Sequence, residues 1–359
     1  MLCNIARLKN HLDPLNSQLR PHVKTAKCPE IVRLMLGSSS DPITVSTLKE
    51  AEQFAAAGYR DILYAVGIVP SKLPRAMSLR RNGIDLSIIL DTIEAAKSVV
   101  SACDKYKASI PVLIEIDSDG HRAGIRCDDP MLIEVARVLH DGGAELRGVM
   151  THAGSAYKHS GAKALSNMAE QERAAAVTAA EQLRDKGFPC PVVSVGSTPT
   201  ATFVETLSGV TEVRAGVFVF QDLVMAGLGV CDIGDIAISV LTTIIGRQKE
   251  KGWILVDAGW MAMSRDRGTA SQSVDQGYGL VCDQAGKPYP DLIMVDANQE
   301  HGILALRQGS QSTLPDLAIG SMVRILPNHA CSTASQHNCY NVLDVDNKAM
   351  DQWQRFSGW

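Results

Sequence analysis

The 359-residue chain has no long apolar run, no excess of basic residues and no pattern of paired cysteines. No uninterrupted apolar stretch reaches the roughly 18 residues that a membrane-spanning helix needs, and the first residues lack the apolar core of a signal peptide. A formal net charge of -4, without a polybasic segment, argues against nucleic acids and anionic membrane surfaces as partners. The nine cysteines are scattered and odd in number, so we expect thiols and a location in the reducing cytoplasm.

Two further absences limit the possible folds. The sequence shows no internal repeat, as a repeat protein would, and no GxGxxG motif after its first apolar run. Eight short apolar runs alternate with helical segments, which predicts parallel strands at 19–25, 43–46, 61–66, 85–91, 111–117, 145–152, 191–196 and 211–216. Eight such units in about 200 residues predict a closed (βα)8 TIM-type barrel, which we assign to residues 1–232. An open, doubly wound sheet is the alternative, disfavoured by the count of eight and by the missing glycine motif.

The sequence pattern changes after residue 232. Strands separated by turns, without a strong helical period, are predicted at 236–248, 252–258, 278–282, 291–297 and 321–327. We therefore expect a second, all-β domain over residues 233–359.

Polar side chains and glycines follow several of the predicted barrel strands. The active site of a (βα)8 barrel lies at the carboxyl ends of its strands, so these residues should meet on one rim. They are Lys24 after the first strand, His121 and Arg122 after the fifth, His152, Gly154 and Tyr157 after the sixth, Gly196, Ser197 and Thr198 after the seventh, and Gly216 after the eighth. Their convergence indicates an active site.

The segment from Gly196 to Thr200 reads GSTPT and follows the seventh strand directly. Small residues let backbone N–H groups approach an anion, and hydroxyl groups add further donors. Barrels often bind phosphate in the loops after strands seven and eight. A tight turn that only needs glycine and proline is the alternative interpretation, but the position after the seventh strand favours a phosphorylated ligand.

Lys24 ends the first predicted strand and should point into the site. Desolvation and nearby cations lower the pKa of such a lysine and make it a nucleophile. A lysine and a phosphate site on one rim are what pyridoxal 5'-phosphate (PLP) requires. A solvated lysine at a strand end is the alternative, and Lys27 is a nearby competitor that lies past the strand.

His329 and Cys331, in the segment PNHAC, form a second candidate centre. Residues i and i+2 of an extended segment point to the same side, so an imidazole and a thiolate can share one metal ion. Two protein ligands leave positions for water and substrate, as in catalytic sites, and the donor set favours zinc, with manganese, cobalt or magnesium as alternatives. A buried cysteine beside a hydrogen-bonded histidine is the alternative, and we rank His337 and Cys339 lower as ligands.

Eight motifs in chain order resemble those of a known family. They are RPHVKT (20–25), EIDSDGHRAG (115–124), THAGSAY (151–157), VSVGSTPT (193–200), EVRAGVFVFQD (212–222), VDAGWMAMSRDRG (256–268), ANQEHG (297–302) and PNHAC (327–331). Together they resemble the D-serine dehydratase/D-threonine aldolase family of PLP enzymes, which have the alanine racemase fold type (PLP fold type III). The resemblance covers nearly the whole chain, and eight ordered motifs are far more specific than one.

The resemblance implies a role for individual residues. Lys24 corresponds to the lysine that binds PLP covalently, Arg122 to an arginine near the phenolic oxygen of the cofactor, and Tyr157 to a tyrosine at the pyridine ring. The GSTPT loop corresponds to the phosphate site, with His152 and Gly216 beside the cofactor. His329 and Cys331 correspond to the metal ligands. Aldolases of the family tend to carry aspartate in place of this cysteine, so Cys331 indicates the dehydratase branch.

Three departures from the family pattern affect what we expect. The chain begins inside the family's first helix, at Asn4-Ile5, so either the start is misassigned or one edge of the β-domain is unpaired. Ala26 replaces a histidine that often follows the lysine strand, and Phe218 replaces a tyrosine. The last two changes should affect rate or substrate range and not PLP binding.

The implied reaction is the loss of the β-hydroxyl from a D-3-hydroxy amino acid. Lys24 would remove the α-proton while the metal ion assists departure of the hydroxyl group, giving oxaloacetate and ammonia from D-threo-3-hydroxyaspartate or pyruvate and ammonia from D-serine. Arg265 or Arg267 would bind an extra carboxylate, unless both belong to a solvated loop. His301 would position water or substrate, unless it makes a structural hydrogen bond.

Four other functions remain open on the sequence alone. An aldolase would use the same cofactor and metal and would form glycine. An amino-acid racemase needs no metal, and a non-catalytic PLP carrier is usually a lone barrel. A decayed, poorly folding homologue is the fourth. The fold type usually forms dimers with the site near the interface, so the resemblance also implies a homodimer that binds a small D-amino acid.

Overall fold

The computed structural model describes residues 1–344 and 346–359. It divides into two compact units, one made of residues 5–218 and 358–359 and the other of residues 1–4 and 219–357. Along the chain, the division between the units falls at 218/219. Within the second unit, Asp222 accepts a hydrogen bond from the backbone N–H of Ala330 at 2.9 Å, so residues just after 218 are bonded to the all-β part of the chain.

The first unit alternates strands with helices. Its strands are β1 (Gln18–Leu19), β2 (Ile43–Val45), β3 (Asp61–Gly67), β4 (Asp85–Leu90), β5 (Pro111–Asp117), β6 (Ile125–Arg126), β7 (Glu145–Thr151), β8 (Val192–Val195) and β9 (Glu212–Val213). Its helices, with α1 starting before residue 5, are α1 (Leu2–Leu12), α2 (Pro29–Met35), α3 (Leu48–Ala56), α4 (Leu73–Arg81), α5 (Ile93–Tyr106), α6 (Met131–Asp141), α7 (Ala162–Asp185) and α8 (Thr198–Phe203).

The strands of this unit form the predicted TIM-type barrel. They pair in parallel in the order β1-β9-β8-β7-β5-β4-β3-β2, with the short β6 beside the end of β5. A parallel bridge between His22 and Thr44 joins the two ends of this order. Each of the eight predicted apolar runs overlaps one of the eight strands on this path, although the first run shares only Leu19 with β1, and the parallel order confirms the predicted fold class.

The apolar pattern explains why these segments pack as they do. Five of the six residues of β4 are buried, as expected for a parallel strand covered on both faces. Helix α6 buries one stripe, formed by Leu132, Val135, Ala136 and Leu139, which is the spacing of one helical face. Among the described residues, no helix is both long enough and apolar enough to cross a membrane.

The first strand is shorter than predicted, and this changes the setting of Lys24. Strand β1 ends at Leu19, and the chain then turns over residues 23–26. The backbone N–H of Lys27 donates to the carbonyl oxygen of Val23 at 2.8 Å, which closes that turn. The prediction that Lys24 ends a strand was therefore wrong, because it lies in the turn that follows.

The second unit is mostly β structure. Its elements are α9 (Leu223–Leu228), β10 (Val240–Gln248), β11 (Trp253–Val256), α10 (Trp260–Met263), β12 (Gly279–Cys282), β13 (Pro288–Ala297), β14 (Gly302–Leu306), β15 (Met322–Pro327), α11 (Ala330–Ala334), β16 (Cys339–Leu343) and β17 (Ala349–Gln354). The five predicted strands are present, whereas β14 and the hairpin of β16 and β17 were not predicted.

Six strands of this unit close into a barrel in the order β10-β11-β14-β13-β12-β15, with β15 paired back to β10. Their inward side chains form one core that includes Ile244, Val256, Met294 and Ile325. Each of the six strands has two neighbours. The alternative that one edge of the β-domain is left unpaired is therefore wrong for these strands.

Candidate functional site

The loop after β8 is built around a glycine that no other residue can replace without a shift. Gly196 has φ +119°, and a Cβ atom there would lie 2.5 Å from the carbonyl oxygen of Arg214. Ser197 then begins α8, where its side chain and that of Thr200 bond each other's backbone N–H groups in a capping box. The hydroxyl of Thr198 accepts from the backbone N–H of Phe218 at 3.1 Å. The loop is therefore compact, buried and rich in donors.

Gly216 lies where the last strand region meets the first. A Cβ atom at this position would lie 2.8 Å from the carbonyl oxygen of His22 and 3.0 Å from the hydroxyl of Thr25. The backbone N–H of His22 donates to Ala215 at 2.8 Å. The close approach of the two chain segments requires a residue without a side chain, and it brings Gly216 to the turn that carries Lys24.

The barrel residues predicted to share a rim do influence one another electrostatically. Burial, then the charges of Arg122, Lys24 and Arg214, lower the pKa of His152 to about 3. Burial and the charge of Lys24 likewise hold the pKa of His22 well below its usual value. Both imidazoles are therefore neutral near pH 7, and the cations Lys24 and Arg122 lie close enough to act on the same histidine.

Lys24 is exposed, and Lys27 is not an equivalent competitor. The ammonium group of Lys27 lies 3.1 Å from the buried carboxylate of Glu50, so this lysine is held in an ion pair. Lys24 lies in the turn after β1 and is exposed, so a ligand can reach it.

Tyr157 and Arg122 complete the rim. The Tyr157 ring lies 6.4 Å from the ring of His152 and is 38% exposed, so its edge is available to a ligand. Gly154 permits the loop to pass His121, because a Cβ atom there would lie 2.2 Å from that imidazole. Arg122 is exposed, and its charge partly offsets the rise that burial causes in the pKa of Glu115.

Two buried charged residues beneath the rim were not singled out from the sequence. Glu172, in α7, is 1% exposed and accepts from the backbone N–H of Ala153 at 2.8 Å. Burial raises the pKa of the Glu172 carboxyl, and hydrogen bonds from Thr200 and Gly196 partly offset this rise. Arg214 donates to Ser194 at 2.5 Å and to the carbonyl oxygen of Thr151. Two charged residues, Glu212 and Arg214, within the predicted strand 211–216 were the signal available for Arg214.

These residues fit PLP. The glycines at 196 and 216 keep side-chain atoms away from the backbone of the rim. In the Gly196–Thr200 loop, the hydroxyl of Thr198 accepts from Phe218 and keeps its own hydrogen to donate to a phosphate. Lys24 is the exposed amine, and one ring nitrogen of His22 is buried without a hydrogen-bond partner, as expected beside an absent polar ligand. Lys24, His152, Tyr157, Ser197 and Thr198 would surround the cofactor.

The second unit holds the predicted metal pair in a geometry that differs from the expected one. Strand β15 ends at Pro327, His329 has extended backbone angles and caps α11, and Cys331 lies in the first turn of that helix. The expectation that both lie on one extended segment was wrong, because the chain turns into a helix at Ala330. The thiol of Cys331 nevertheless interacts with the imidazole of His329.

Asp266 holds the imidazole of His329. One carboxylate oxygen of Asp266 lies 2.7 Å from Nδ1 of His329, and the hydroxyl of Ser332 lies 3.1 Å from the same nitrogen. Burial opposes protonation of His329, but Asp266 and Cys331 outweigh it and raise the pKa of His329 to about 11. Asp266, in the segment SRDRG, was not predicted as a site residue from the sequence.

This donor set fits a divalent cation. Ligating histidines usually donate their second ring N–H to a carboxylate, as His329 can to Asp266. The negative charges that favour a proton on His329 would also favour a metal ion. Among residues 1–344 and 346–359, however, no group of three or more His, Cys, Asp or Glu side chains is arranged to hold a metal. His329 and Cys331 would therefore be two ligands of an open site.

The other residues of this unit that were considered as metal ligands or substrate-binding groups do not contact His329 in any hydrogen bond or ion pair described for them. One ring nitrogen of His337 bonds the carbonyl oxygen of Ala262 at 2.9 Å, which is a structural contact. Arg267 is paired with Asp275 at 2.7 Å, and the exposed Arg265 lies over the ring of Trp260 at 4.3 Å. His301 is exposed on the turn before β14, where its carbonyl oxygen accepts from Asn298 at 2.7 Å.

Two family descriptions match the chain in the order of its two units. "Alanine racemase, N-terminal domain" matches residues 1–223, and "Putative serine dehydratase domain" matches residues 237–343. The first match covers more than half of the chain. The fold and the rim residues thus define an enzyme of the alanine racemase type.

Sequence comparison with individual relatives shows to which family within this class the chain belongs. The chain is 53% identical to D-threo-3-hydroxyaspartate dehydratase from Delftia sp. (strain HT23), over 99% of this chain and 94% of that protein. It is 30% identical to D-serine dehydratase from Dictyostelium discoideum, over 99% and 94% of the two chains. A cysteine-to-alanine mutant of D-threo-3-hydroxyaspartate dehydratase, solved in the metal-free form, superposes with a TM-score of 0.96 at 52% identity, over 100% of this chain and 95% of that one. The chain belongs to the D-serine dehydratase/D-threonine aldolase family and is a lyase.

Proposed function

We propose that the chain is a PLP- and metal-dependent dehydratase that converts D-threo-3-hydroxyaspartate to oxaloacetate and ammonia, with D-serine as a second substrate. The observation that carries this proposal is 53% identity to a dehydratase of that substrate over almost the full length of both chains. The exposed Lys24 on the barrel rim and the pairing of His329 with Cys331 and Asp266 agree with it.

PLP bound through Lys24 would supply an electron sink for the carbanion that forms at the α-carbon of the substrate. Lys24, released by the incoming amino group, would take the α-proton on its Nζ atom. Because its pKa is about 3, the imidazole of His152 would be neutral and would add no positive charge of its own beside that proton transfer. Arg122 and Tyr157 would orient the cofactor ring.

His329 and Cys331 would hold a divalent metal ion, preferably zinc, which would supply Lewis-acid chemistry for loss of the β-hydroxyl. Asp266 would hold Nδ1 of His329 and leave the other ring nitrogen for the ion. The substrate first loses one water molecule, and hydrolysis of the imine product later consumes one. The net reaction therefore releases one keto acid and one ammonia. His301 would position water or substrate.

An assay of products tests this proposal. Purified holoenzyme is incubated with D-threo-3-hydroxyaspartate and, separately, with D-serine, and ammonia, keto acid and glycine are measured. We expect equal amounts of ammonia and keto acid, with the larger kcat/KM for the dicarboxylate. Glycine with glyoxylate and no ammonia would instead identify an aldolase, and racemised substrate alone would identify a racemase.

We also propose that the enzyme is a cytoplasmic homodimer. Among the described residues none of the nine cysteines forms a disulfide, which agrees with a reducing compartment. Light scattering after size-exclusion chromatography would measure the mass of the particle, and a value of one chain would contradict the dimer.

A further inference from the structure

Two loops of the barrel rim carry the side chains that would orient the cofactor ring. The loop after β5 carries Arg122, and the loop after β7 carries Tyr157, both within the first unit. Both side chains are exposed, so the backbone beneath them has a large part in setting where they lie. Contacts between the two loops therefore help to decide how Arg122 and Tyr157 are placed relative to each other.

A single carboxylate joins these loops. Oδ2 of Asp119, in the first loop, accepts from the backbone N–H of Ser155 at 2.8 Å and from the hydroxyl of Ser155 at 2.7 Å. The other oxygen of Asp119 accepts from the backbone N–H of His121 at 3.3 Å. Asp119 thus bonds the residue that precedes Arg122 and the residue two positions before Tyr157.

Asp119 is ionised near pH 7. Burial opposes its ionisation, but hydrogen bonds from Ser155 and His121 outweigh burial and hold the pKa of the Asp119 carboxyl below its usual value. Hydrogen bonds to a charged acceptor are shorter and stronger than those between neutral groups, and the two distances to Ser155 are in this short range. Asp119 therefore binds Ser155 more strongly than a neutral side chain of the same shape would.

The local sequence leaves the side chain of Asp119 available for this contact. Oδ1 of Asp117 accepts from the backbone N–H groups of Asp119 and Gly120 at 3.1 Å and 2.7 Å, an arrangement typical of aspartate at the start of a turn. Gly120 has φ +67°, a conformation that glycine adopts without a steric penalty. Asp117 therefore closes the turn after β5, and Asp119 is left to bond the neighbouring loop.

Other contacts bring the same two loops together. The hydroxyl of Thr151, the last residue of β7, donates to the hydroxyl of Ser118 at 3.0 Å. Where His121 passes Gly154, a Cβ atom on the glycine would lie 2.2 Å from the imidazole, so the loops approach closely at this point as well. The two loops thus lie side by side, and Asp119 supplies a charged bond between them.

We propose that Asp119 is a positioning residue that, through Ser155, holds the Tyr157 loop against the Arg122 loop and thereby sets the two side chains that orient PLP. This inference rests on the proposed PLP-dependent function, and it adds a residue that acts on the cofactor through the two loops. Asp119 takes no part in proton transfer.

The rate at which PLP leaves the holoenzyme tests this role. Asp119→Asn removes the charge, and whichever way the amide turns, its NH2 group faces a donor, either Ser155 or His121. PLP should therefore dissociate about 10-fold faster, and the circular dichroism induced in the bound cofactor should change. Asp128→Asn is the control, because this exposed residue pairs with Arg126 at 3.0 Å within its own segment. Dissociation from Asp119→Asn at the wild-type rate, or an equal change in Asp128→Asn, would overturn the proposal.

A double-mutant cycle tests the partner. Ser155→Ala keeps the backbone N–H and loses the hydroxyl, so PLP should leave about threefold faster. Because Asp119→Asn and Ser155→Ala weaken one shared contact, the double variant should lose PLP more slowly than the product of the two single effects predicts. Effects that multiply would show that Asp119 does not act through Ser155, which would overturn the proposal.

Hydrogen exchange of the holoenzyme separates positioning from stability alone. In Asp119→Asn the backbone amides of residues 152–158 should exchange faster than in the wild type, whereas those of α3, which packs on β2 and β3, should not. A lower Tm with unchanged PLP dissociation and induced circular dichroism would show a structural role only and would overturn the proposal.

These measurements do not depend on turnover. If the wild type holds PLP but converts neither D-threo-3-hydroxyaspartate nor D-serine, the proposed dehydratase function fails, while the dissociation rates still decide the role of Asp119. A wild type that binds no PLP would overturn both.

Discussion

Oδ2 of Asp266 lies 2.7 Å from Nδ1 of His329, and this contact fixes which nitrogen of the imidazole remains for a metal ion. Asp266→Asn should weaken metal binding about 10- to 100-fold, because a neutral amide neither orients the ring nor adds negative charge. Metal affinity measured against a competing chelator checks this. Ser332→Ala removes the longer 3.1 Å contact with His329 and a 3.2 Å hydrogen bond to Asp266, but keeps the carboxylate. It should change affinity much less, and equal losses in both variants would argue against the role of Asp266.

Replacement of Lys24 tests the cofactor assignment. Lys24→Ala should abolish the absorbance band of lysine-bound PLP while leaving the far-ultraviolet circular dichroism unchanged, since the side chain is exposed. Lys27→Ala is the matched control, because this lysine is paired with Glu50 and should keep the band. A band that persists in Lys24→Ala would exclude Lys24 as the attachment point.

A glycine substitution tests the phosphate loop. Gly196→Ala places a Cβ atom 2.5 Å from a backbone oxygen at φ +119°, so we expect the free energy of unfolding to fall by about 1–3 kcal/mol or more and PLP affinity to fall with it. Gly67→Ala, at a position with open space around it, is the control. Urea unfolding and PLP titration check both variants, and a Gly196→Ala protein as stable as the control would contradict the strain described here.

Acid stability should depend on His152. Burial and nearby cations lower the pKa of His152 from 6.5 to about 3 in the folded chain, so between these values the unfolded chain binds more protons. Stability from this group is therefore present above pH 6.5 and is lost as the pH falls, with a slope of at most about 1.4 kcal/mol per pH unit. His152→Asn should flatten this part of the stability curve relative to the wild type. If the free energy of unfolding falls equally with pH in the two proteins, the pKa of His152 is not lowered in the folded chain.

The barrel could be predicted from the sequence because short, mostly apolar runs such as Pro111–Asp117, in which six of seven residues are buried, are typical of parallel strands covered on both faces. The placement of Lys24 at the end of a strand, and of Cys331 on an extended segment, was wrong because turns and helix starts depend on backbone hydrogen bonds. The turn at Lys24 is closed by a hydrogen bond from Lys27 to Val23. The backbone N–H of Ala330 donates to Asp222, a partner 108 residues away that local sequence does not show.

Supporting residues were the hardest to predict. Asp266 and His329 are 63 residues apart, and Glu172 and Ala153 are 19 apart, so nothing in either local pattern links the partners. Side chains that hold or complement a site emerge only when distant segments are brought together.

Chelation of the metal tests the central claim most directly. Ammonia release from D-threo-3-hydroxyaspartate is measured for the holoenzyme, after treatment with EDTA, and after zinc is returned. A metal-dependent dehydratase should release ammonia and oxaloacetate in equal amounts, lose most of that activity on chelation while the PLP absorbance stays, and regain it with zinc. Undiminished ammonia release after complete removal of metal, or glycine in place of ammonia, would contradict the account.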